Sequence, residues 1–228
     1  MTDIHALRDR YRNDKAGLLA ALQATGASTR GIRALLRKFS SLAGHLLQTL
    51  WQRAQLPPEM ALVAVGGFGR DELFPYSDVD VLLLMPDGMA PEAGSLLRTR
   101  LEGFIGSCWD AGLEIGSSVR TVAECLTESA GDVTVQTSLL ESRLVCGNAQ
   151  LFADFQRQYS AQMNPPAFLV AKTLEMHQRH NKYENTPYAL EPNCKESPGG
   201  LRDLQMILWV ARAAGLGRSW SELAASGM

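Results

Sequence analysis

The chain has 228 residues, of which 46% are apolar, and it carries 22 basic against 24 acidic side chains. This length and composition predict one large or two small globular domains with a substantial core. The net charge of −2 gives no electrostatic basis for binding nucleic acid in bulk.

The amino-terminal sequence predicts neither a signal peptide nor a membrane anchor. Residues 1–20 are charged throughout, and no apolar run approaches the roughly 20 residues that a membrane-spanning helix needs. The four cysteines are widely spaced and form no Cys-x-x-Cys pattern. We therefore expect reduced thiols and a cytoplasmic location.

Two amphipathic helices are predicted to open the chain, over residues 3–24 and 30–54. In the second, apolar residues recur every three or four positions from Ile32 to Leu50. We therefore assign residues 1–58 to a helical region that precedes the first strand.

A run of glycines separates two predicted strands. Leu62–Val65 and Val79–Leu84 are short and rich in β-branched and aliphatic residues, which is typical of buried strands. Between them lie Gly66–Gly69 and then one predicted helical turn, Asp71–Phe74, which Pro75 ends.

Two aspartates open the second of these strands. Strand side chains alternate between faces, so Asp78 and Asp80 project from the same face while the valines beside them pack on the other. Adjacent carboxylates repel each other, and a divalent cation between them removes that repulsion. Hard oxygen ligands of this kind favour Mg²⁺, and two-metal phosphoryl-transfer sites need them. The alternative is a simple strand–turn–strand whose aspartates face solvent.

The glycines before the aspartates are predicted to bind phosphate. Gly66 and Gly67 have no side chains, so their backbone N–H groups can approach a phosphate closely. Ser77 adds a hydroxyl donor and Arg70 adds a positive charge. Phosphate ligands and metal ligands are thus expected side by side.

The rest of the chain is predicted to be mainly helical. A helix over residues 96–109 and a third strand over 112–121 complete the predicted core, residues 59–130. Helices then follow over 121–129, 132–146, 148–162 and 166–184. Short polar breaks join them, which is typical of an antiparallel bundle over residues 131–228.

The segment from Tyr188 to Gln205 is irregular and contains a Pro-Gly-Gly turn before a helix. Lys195 and Arg202 flank that turn, so they could hold a phosphate, or the segment could be a loop that packs the bundle. His177 and His180 lie three residues apart on the preceding helix, and we expect them on a solvated face rather than on a metal.

Three blocks of this sequence resemble a known family. The glycines and the Ser-Asp-x-Asp pattern are similar to the signature of the DNA polymerase β-like nucleotidyltransferase superfamily. The longer form Gly-Gly-Phe-Gly-Arg-x-Glu-Leu-x-Pro-x-Ser-Asp-x-Asp resembles the bacterial PII uridylyltransferase/uridylyl-removing enzymes. Blocks at residues 109–121 and 179–205 resemble the same family, in the right order along residues 62–210.

The resemblance implies a fold and a reaction. The fold is α/β (α+β): a polymerase β-like nucleotidyltransferase core with a small mixed sheet, preceded by helices and followed by a helical bundle. The reaction is transfer of UMP from UTP to a tyrosine of the PII signal protein, with two Mg²⁺ ions and release of pyrophosphate. The superfamily places a third carboxylate on a neighbouring strand, for which Glu114 is the candidate and Asp110 the alternative.

Members of this family are longer than the present chain. They carry a phosphohydrolase domain with a His-Asp pair and two glutamine-sensing domains, whereas this sequence contains no His-Asp dipeptide. We therefore expect a truncated piece without those two functions. Two alternatives to PII uridylylation stay open: nucleotidyl transfer to another acceptor, and a fragment that binds nucleotide or a partner without turnover.

Overall fold

The computed structural model describes residues 3–25, 28–188, 190–191, 193–225 and 227. Within them, the strands are β1 (Ala61–Ala64), β2 (Val79–Met85), β3 (Ile115–Thr121) and β4 (Arg143–Gly147). The described helices are α1 (Ile4–Thr25), α2 (Thr29–Ala54), α3 (Gly66–Gly69), α4 (Leu96–Asp110), α5 (Val122–Gly131), α6 (Val133–Leu140), α7 (Ala149–Gln162), α8 (Pro165–Lys182), α9 (Leu201–Ala213) and α10 (Trp220–Ala225). None of these helices is long and apolar enough to cross a membrane.

The four strands form one sheet in the order β3-β2-β1-β4. β1 is antiparallel to both of its neighbours, whereas β2 and β3 are parallel. A parallel pair needs a crossover connection, and α4 provides it between β2 and β3. The predicted α/β class with a small mixed sheet is therefore confirmed.

One face of the sheet packs against α2 and α4, and α1 packs against these two helices. Val79, Val81 and Leu83 of β2 are buried in this core together with side chains from the three helices. Because strand side chains alternate, Asp80 projects from the opposite face, where it is exposed. The apolar core thus fixes the direction in which the aspartate points.

Two of these helices, α2 and α4, begin at serine caps. The Ser28 hydroxyl oxygen accepts a hydrogen bond from the Gly31 N–H at 3.1 Å at the start of α2. The Ser95 hydroxyl oxygen accepts one from the Arg98 N–H at 3.2 Å at the start of α4. Each bond satisfies a helix N–H that has no acceptor within the helix.

The predicted helix over residues 132–146 is wrong beyond Leu140. The chain leaves α6 there and enters β4, in which Leu144 pairs with Val63 of β1. The spacing of the leucines fits a helix, but a short apolar run does not distinguish a helix from a buried strand. The segment is a strand because it pairs with β1, and the local sequence contains no information on that pairing.

The predicted helical turn at Asp71–Phe74 is also wrong. The turn lies earlier, at α3, which is made of the glycine run itself. Gly66 has φ +57°, so the chain can change direction immediately after β1 at little steric cost. Asp71 then takes φ 61° and ends the turn.

The chain forms two compact units. The first contains residues 1–127 and 141–157, and the second contains residues 128–140 and 158–228. Residues 141–157, which the sequence places in the helical region, thus fold with the sheet because β4 is one of its strands. Within the second unit, α6, α8 and α9 pack against one another.

Candidate active site

The acidic pair, Asp78 and Asp80, lies at the beginning of β2, and both side chains are exposed. Val79 between them is buried, and its N–H donates to the Glu114 carbonyl at 2.8 Å. On the other side, the Val65 N–H donates to the Asp80 carbonyl at 3.1 Å. The backbone of the pair is therefore held from both neighbouring strands while the carboxylates face outward.

The Asp80 carboxylate lies between two glycines. Gly116 of β3 pairs with Asp80, and a Cβ at position 116 would overlap Oδ1 of the aspartate. A Cβ at Gly66 would lie 3.7 Å from Oδ2, so the glycine turn starts beside the same carboxylate. We did not single out Gly116 from the sequence, although a glycine inside a strand often marks such a close approach.

Replacing Gly116 by alanine should displace the Asp80 carboxylate and leave the fold in place. The added methyl group meets a side chain at an exposed position, which can move aside. A displacement of about 1 Å at a catalytic group can lower the rate about a hundredfold. Transfer rates and melting temperatures of Gly116→Ala and Gly106→Ala test this, because position 106 faces open space. Full activity of Gly116→Ala would contradict the importance of this contact.

In the glycine turn, residues 66–72, backbone N–H groups donate back to carbonyl groups at and just before the start of the turn. Three successive carbonyls accept backbone N–H donors: Val65 from Gly69 at 3.1 Å, Gly66 from Arg70 at 3.1 Å, and Gly67 from Glu72 at 3.0 Å. The first N–H groups of a helix have no acceptor within it and suit an anion. The two predicted phosphate ligands, Gly66 and Gly67, thus lie at the amino end of α3 next to Asp80.

Arg70 holds the turn to the segment before β4. Its guanidinium donates to Glu72 at 3.1 Å and to the buried carboxylate of Glu141. These ion pairs give Arg70 a structural role that needs no nucleotide. Its predicted contact with phosphate stays a prediction.

Arg143 of β4 holds the other end of the turn, and sequence reasoning missed it. The guanidinium donates to the Phe68 carbonyl at 3.0 Å and pairs with the Asp71 carboxylate at 2.9 Å. It also lies over the Phe68 ring, 5.3 Å from the ring centre. No local sequence pattern indicates that Arg143 belongs to the site, because its partners Phe68 and Asp71 lie more than 70 positions earlier in the chain.

The acidic pair fits a magnesium ion. Two exposed carboxylates on one face offer hard oxygen ligands, and Mg²⁺ usually completes its shell with water and substrate phosphates. The described residues contain no group of three or more His, Cys, Asp or Glu side chains that could hold a metal. Both arginines at the turn are already paired with carboxylates, so the countercharge for a triphosphate would come from the cation.

Glu114 precedes β3 by one residue, and its side chain is exposed. Burial, and then the nearby charge of Glu114, raises the pKa of Tyr11 to about 12, which places this carboxylate near α1. Asp110, the alternative, is the last residue of α4. The structure gathers neither of them with the acidic pair into a three-ligand group, and the third carboxylate stays a prediction.

Ser77, the predicted hydroxyl ligand, lies at the end of the tight turn that precedes the acidic pair. Its N–H donates to the Phe74 carbonyl at 3.1 Å, and its side chain is exposed. The hydroxyl is thus on the solvent side, one residue from Asp78. Its contact with phosphate stays a prediction.

The second unit contains the other predicted ligands, Lys195 and Arg202, in and after a tight loop, residues 193–200. The Asn193 side-chain oxygen accepts from the N–H groups of Lys195 and Glu196, both at 3.0 Å. The Lys195 side chain is exposed, whereas Arg202 donates to the Glu196 carboxylate at 3.2 Å. The loop explains these contacts without a ligand, and phosphate binding by either residue stays a prediction.

Asp203 is the centre of a polar network in this unit. Its carboxylate accepts from Arg179 at 2.7 Å, from the Gly199 N–H at 2.7 Å, and lies 3.0 Å from His180 Nε2. The expectation that His180 lies on a solvated face is therefore wrong, because an aspartate 23 residues later binds it. Burial raises the pKa of Asp203, but the bonds from Arg179, Gly199 and His180 outweigh burial and hold that pKa below its ordinary value.

Replacing Asp203 by asparagine should destabilise the chain by about 1–3 kcal/mol at neutral pH, the usual range for charged hydrogen bonds. Because the folded-state pKa is lowered, this contribution is full above the unfolded-state pKa of about 3.9 and is lost as pH falls through the folded value. Urea unfolding from pH 7 down to pH 3 would show the difference. Asp154→Asn, which removes an exposed ion pair with Arg157, is the control, and an equal loss in both variants would contradict the network.

The fold, with its mixed four-stranded sheet, is compatible with the core of a nucleotidyltransferase. A family model described as GlnD PII-uridylyltransferase matches residues 167–228. Three relatives carry the name bifunctional uridylyltransferase/uridylyl-removing enzyme. They are from Cupriavidus pinatubonensis (53% identity; 97% of this chain and 25% of the relative), Burkholderia mallei (54%; 96% and 24%) and Ralstonia nicotianae (53%; 95% and 24%).

Over nearly its whole length, the chain is therefore similar to proteins named bifunctional uridylyltransferase/uridylyl-removing enzymes. It spans about a quarter of the length of the relatives it matches. The match to the relative from Cupriavidus pinatubonensis extends over 222 residues of the chain.

Proposed function

We propose that this chain is a nucleotidyltransferase that transfers UMP from UTP to a tyrosine hydroxyl of the PII signal protein and releases pyrophosphate. The observation that carries the proposal is the position of the Asp80 carboxylate between Gly66 and Gly116, next to the amino end of α3. The residues that we propose as metal ligands and those that we propose as phosphate ligands are thereby adjacent. The names of the relatives support uridylyl transfer, and the family description supports PII as acceptor.

In the proposed reaction, the phenol oxygen of the acceptor forms a bond to the α-phosphorus of UTP while the bond to the bridging oxygen breaks. Asp78 and Asp80 would hold two Mg²⁺ ions, which when bound neutralise the phosphates and polarise the α-phosphorus. Gly66, Gly67 and Ser77 would bind the phosphates that leave. Glu114 is the predicted third carboxylate, which would help to hold the metal nearest the attacking oxygen or take the phenol proton.

The test is the intact mass of a PII protein after incubation with the 228-residue chain, Mg²⁺ and UTP. A mass increase of one UMP, absent with the double variant Asp78→Asn/Asp80→Asn, would establish donor, acceptor and catalytic pair together. The chain with Asp9→Asn, an exposed aspartate of α1, is the matched control and should behave as the wild type.

Parallel reactions with ATP, CTP and GTP, and with acceptors other than PII, separate the alternatives. Transfer of another nucleotide, or to another acceptor only, would keep nucleotidyl transfer and overturn the stated substrates. Binding of UTP without any transfer would favour a non-catalytic module. The absence of both binding and transfer would contradict the proposal.

A further inference from the structure

The glycine turn depends on one side chain at its carboxyl end. α3 is four residues long, and so short a helix has no stability of its own in water. The Phe68 carbonyl at its end accepts from the Asp71 N–H at 3.2 Å and from Arg143 at 3.0 Å. Arg143 thus adds a second donor to the carbonyl at the carboxyl end of the turn, and through it helps to fix the direction of the N–H groups at the other end.

Arg143 also neutralises the carboxylate that lies closest in sequence to the turn. Asp71 occupies φ 61° and points its carboxylate at the Arg143 guanidinium, 2.9 Å away. Without that partner, an unneutralised negative charge would remain on the same turn, at Asp71, within a few residues of Gly67. Such a charge repels an anion, so the ion pair favours phosphate binding without touching the phosphate.

The Arg143 guanidinium also has an unfavourable feature, which costs stability. Its Nε is buried and has no hydrogen-bond partner among the described residues. A buried donor without an acceptor destabilises a fold. The two contacts that Arg143 Nη2 makes, with the Phe68 carbonyl and with the Asp71 carboxylate, must offset this cost.

We propose that Arg143 is a positioning residue for the triphosphate of the donor nucleotide, a role that rests on the proposed function. It acts through Phe68 and Asp71 and makes no contact with the nucleotide. Glu141, paired with Arg70, holds the same turn from the same segment of chain. Glu141, just before β4, and Arg143, its first residue, would therefore set the phosphate-binding geometry of a turn that lies between β1 and β2.

This role has a specific kinetic signature. The turn binds phosphates that are present in the ground state and in the transition state alike. Loss of such uniform binding raises KM and leaves kcat nearly unchanged. A residue that only stabilised the fold would lower the amount of active protein, and hence the apparent kcat, without changing KM.

The experiment measures KM and kcat for UTP in the transfer assay, and the dissociation constant for UTP with Mg²⁺, using Arg143→Lys and Arg143→Ala. One nitrogen, Nη2, makes both contacts, so alanine removes both, whereas lysine keeps the charge and tests whether the planar guanidinium is needed. We expect KM and the dissociation constant to rise about tenfold or more, as is usual for outer-shell residues, with kcat changed less than about threefold. Hydrogen exchange should accelerate at the amides of Gly69 to Glu72 and not elsewhere in the sheet.

The control is Arg98→Ala, which removes an exposed ion pair with Glu102 on α4 and should change none of these quantities. An unchanged KM and dissociation constant in Arg143→Ala, with a wild type that binds UTP, would overturn the inference alone. So would faster exchange throughout the sheet together with a fall in kcat. A wild type that binds no UTP would instead show that the proposed function has failed, and the inference with it.

Discussion

Replacing Asp80 by asparagine should lower the rate of nucleotidyl transfer at least about a thousandfold. Asparagine keeps the size of the side chain and removes its charge, so a bound Mg²⁺ loses an anionic ligand. Metal stabilisation of a transition state is worth several kcal/mol, and each 1.4 kcal/mol is about a tenfold change in rate.

The same substitution should leave the fold intact. Asp80 is exposed, and its backbone carbonyl, not its side chain, accepts the bond from Val65. Exposed substitutions usually change stability by no more than about 0.5 kcal/mol. Circular dichroism and thermal unfolding of Asp80→Asn should therefore match the wild type, which separates loss of chemistry from loss of structure.

Asp78→Asn should behave similarly, and the double variant should be little worse than either single one, because residues that act as a unit are not additive. Kinetics at increasing Mg²⁺ concentration give a further check. If Asp80→Asn retained more than about a tenth of the wild-type rate, or if Asp9→Asn lost as much activity, the acidic pair would not be the metal site.

The parts of the site that the sequence predicts are those that lie close together along the chain. Asp78 and Asp80 are two residues apart, and the alternation of a strand alone decides that they share a face. Gly66 and Gly67 directly follow a strand, so their position beside the aspartates follows from a short hairpin-like return. No knowledge of distant pairing is needed for either inference.

The parts that the sequence did not reveal depend on pairing between distant segments. Gly116 lies under Asp80 only because β3 pairs with β2 in one register. Arg143 reaches the turn only because β4 pairs with β1, and the leucine spacing around it favours a helix. His180 meets Asp203 only because α8 packs on α9. Local periodicity contains no information on any of these contacts.

Replacing Gly69 by alanine should be the most damaging change to the fold of the first unit. A Cβ at this position would overlap the Glu141 carbonyl oxygen and lie 3.0 Å from the Ala64 carbonyl oxygen. Both obstacles are backbone atoms of neighbouring segments, so neither can rotate away as a side chain would. The turn, the end of β1 and the chain before β4 would have to separate.

Forced overpacking of this kind costs about 3 kcal/mol or more. For a chain of this size, that corresponds to a fall in melting temperature of about 6–12 °C. Transfer activity should fall as well, because separation of the segments weakens the ion pair between Arg70 and Glu141 and loosens the glycine turn. Thermal unfolding and the dissociation constant for UTP measure the two effects independently.

Gly103→Ala is the matched control. Position 103 is exposed in the middle of α4, and a Cβ there meets nothing within contact distance. Alanine is the better helix former by about 0.5–1 kcal/mol, so this variant should melt slightly above the wild type. If Gly69→Ala melted as high as Gly103→Ala, the close approach between the glycine turn and Glu141 would be absent in solution. The contacts of Arg70 with Glu141, and of Arg143 with the turn, would then not hold the turn as described.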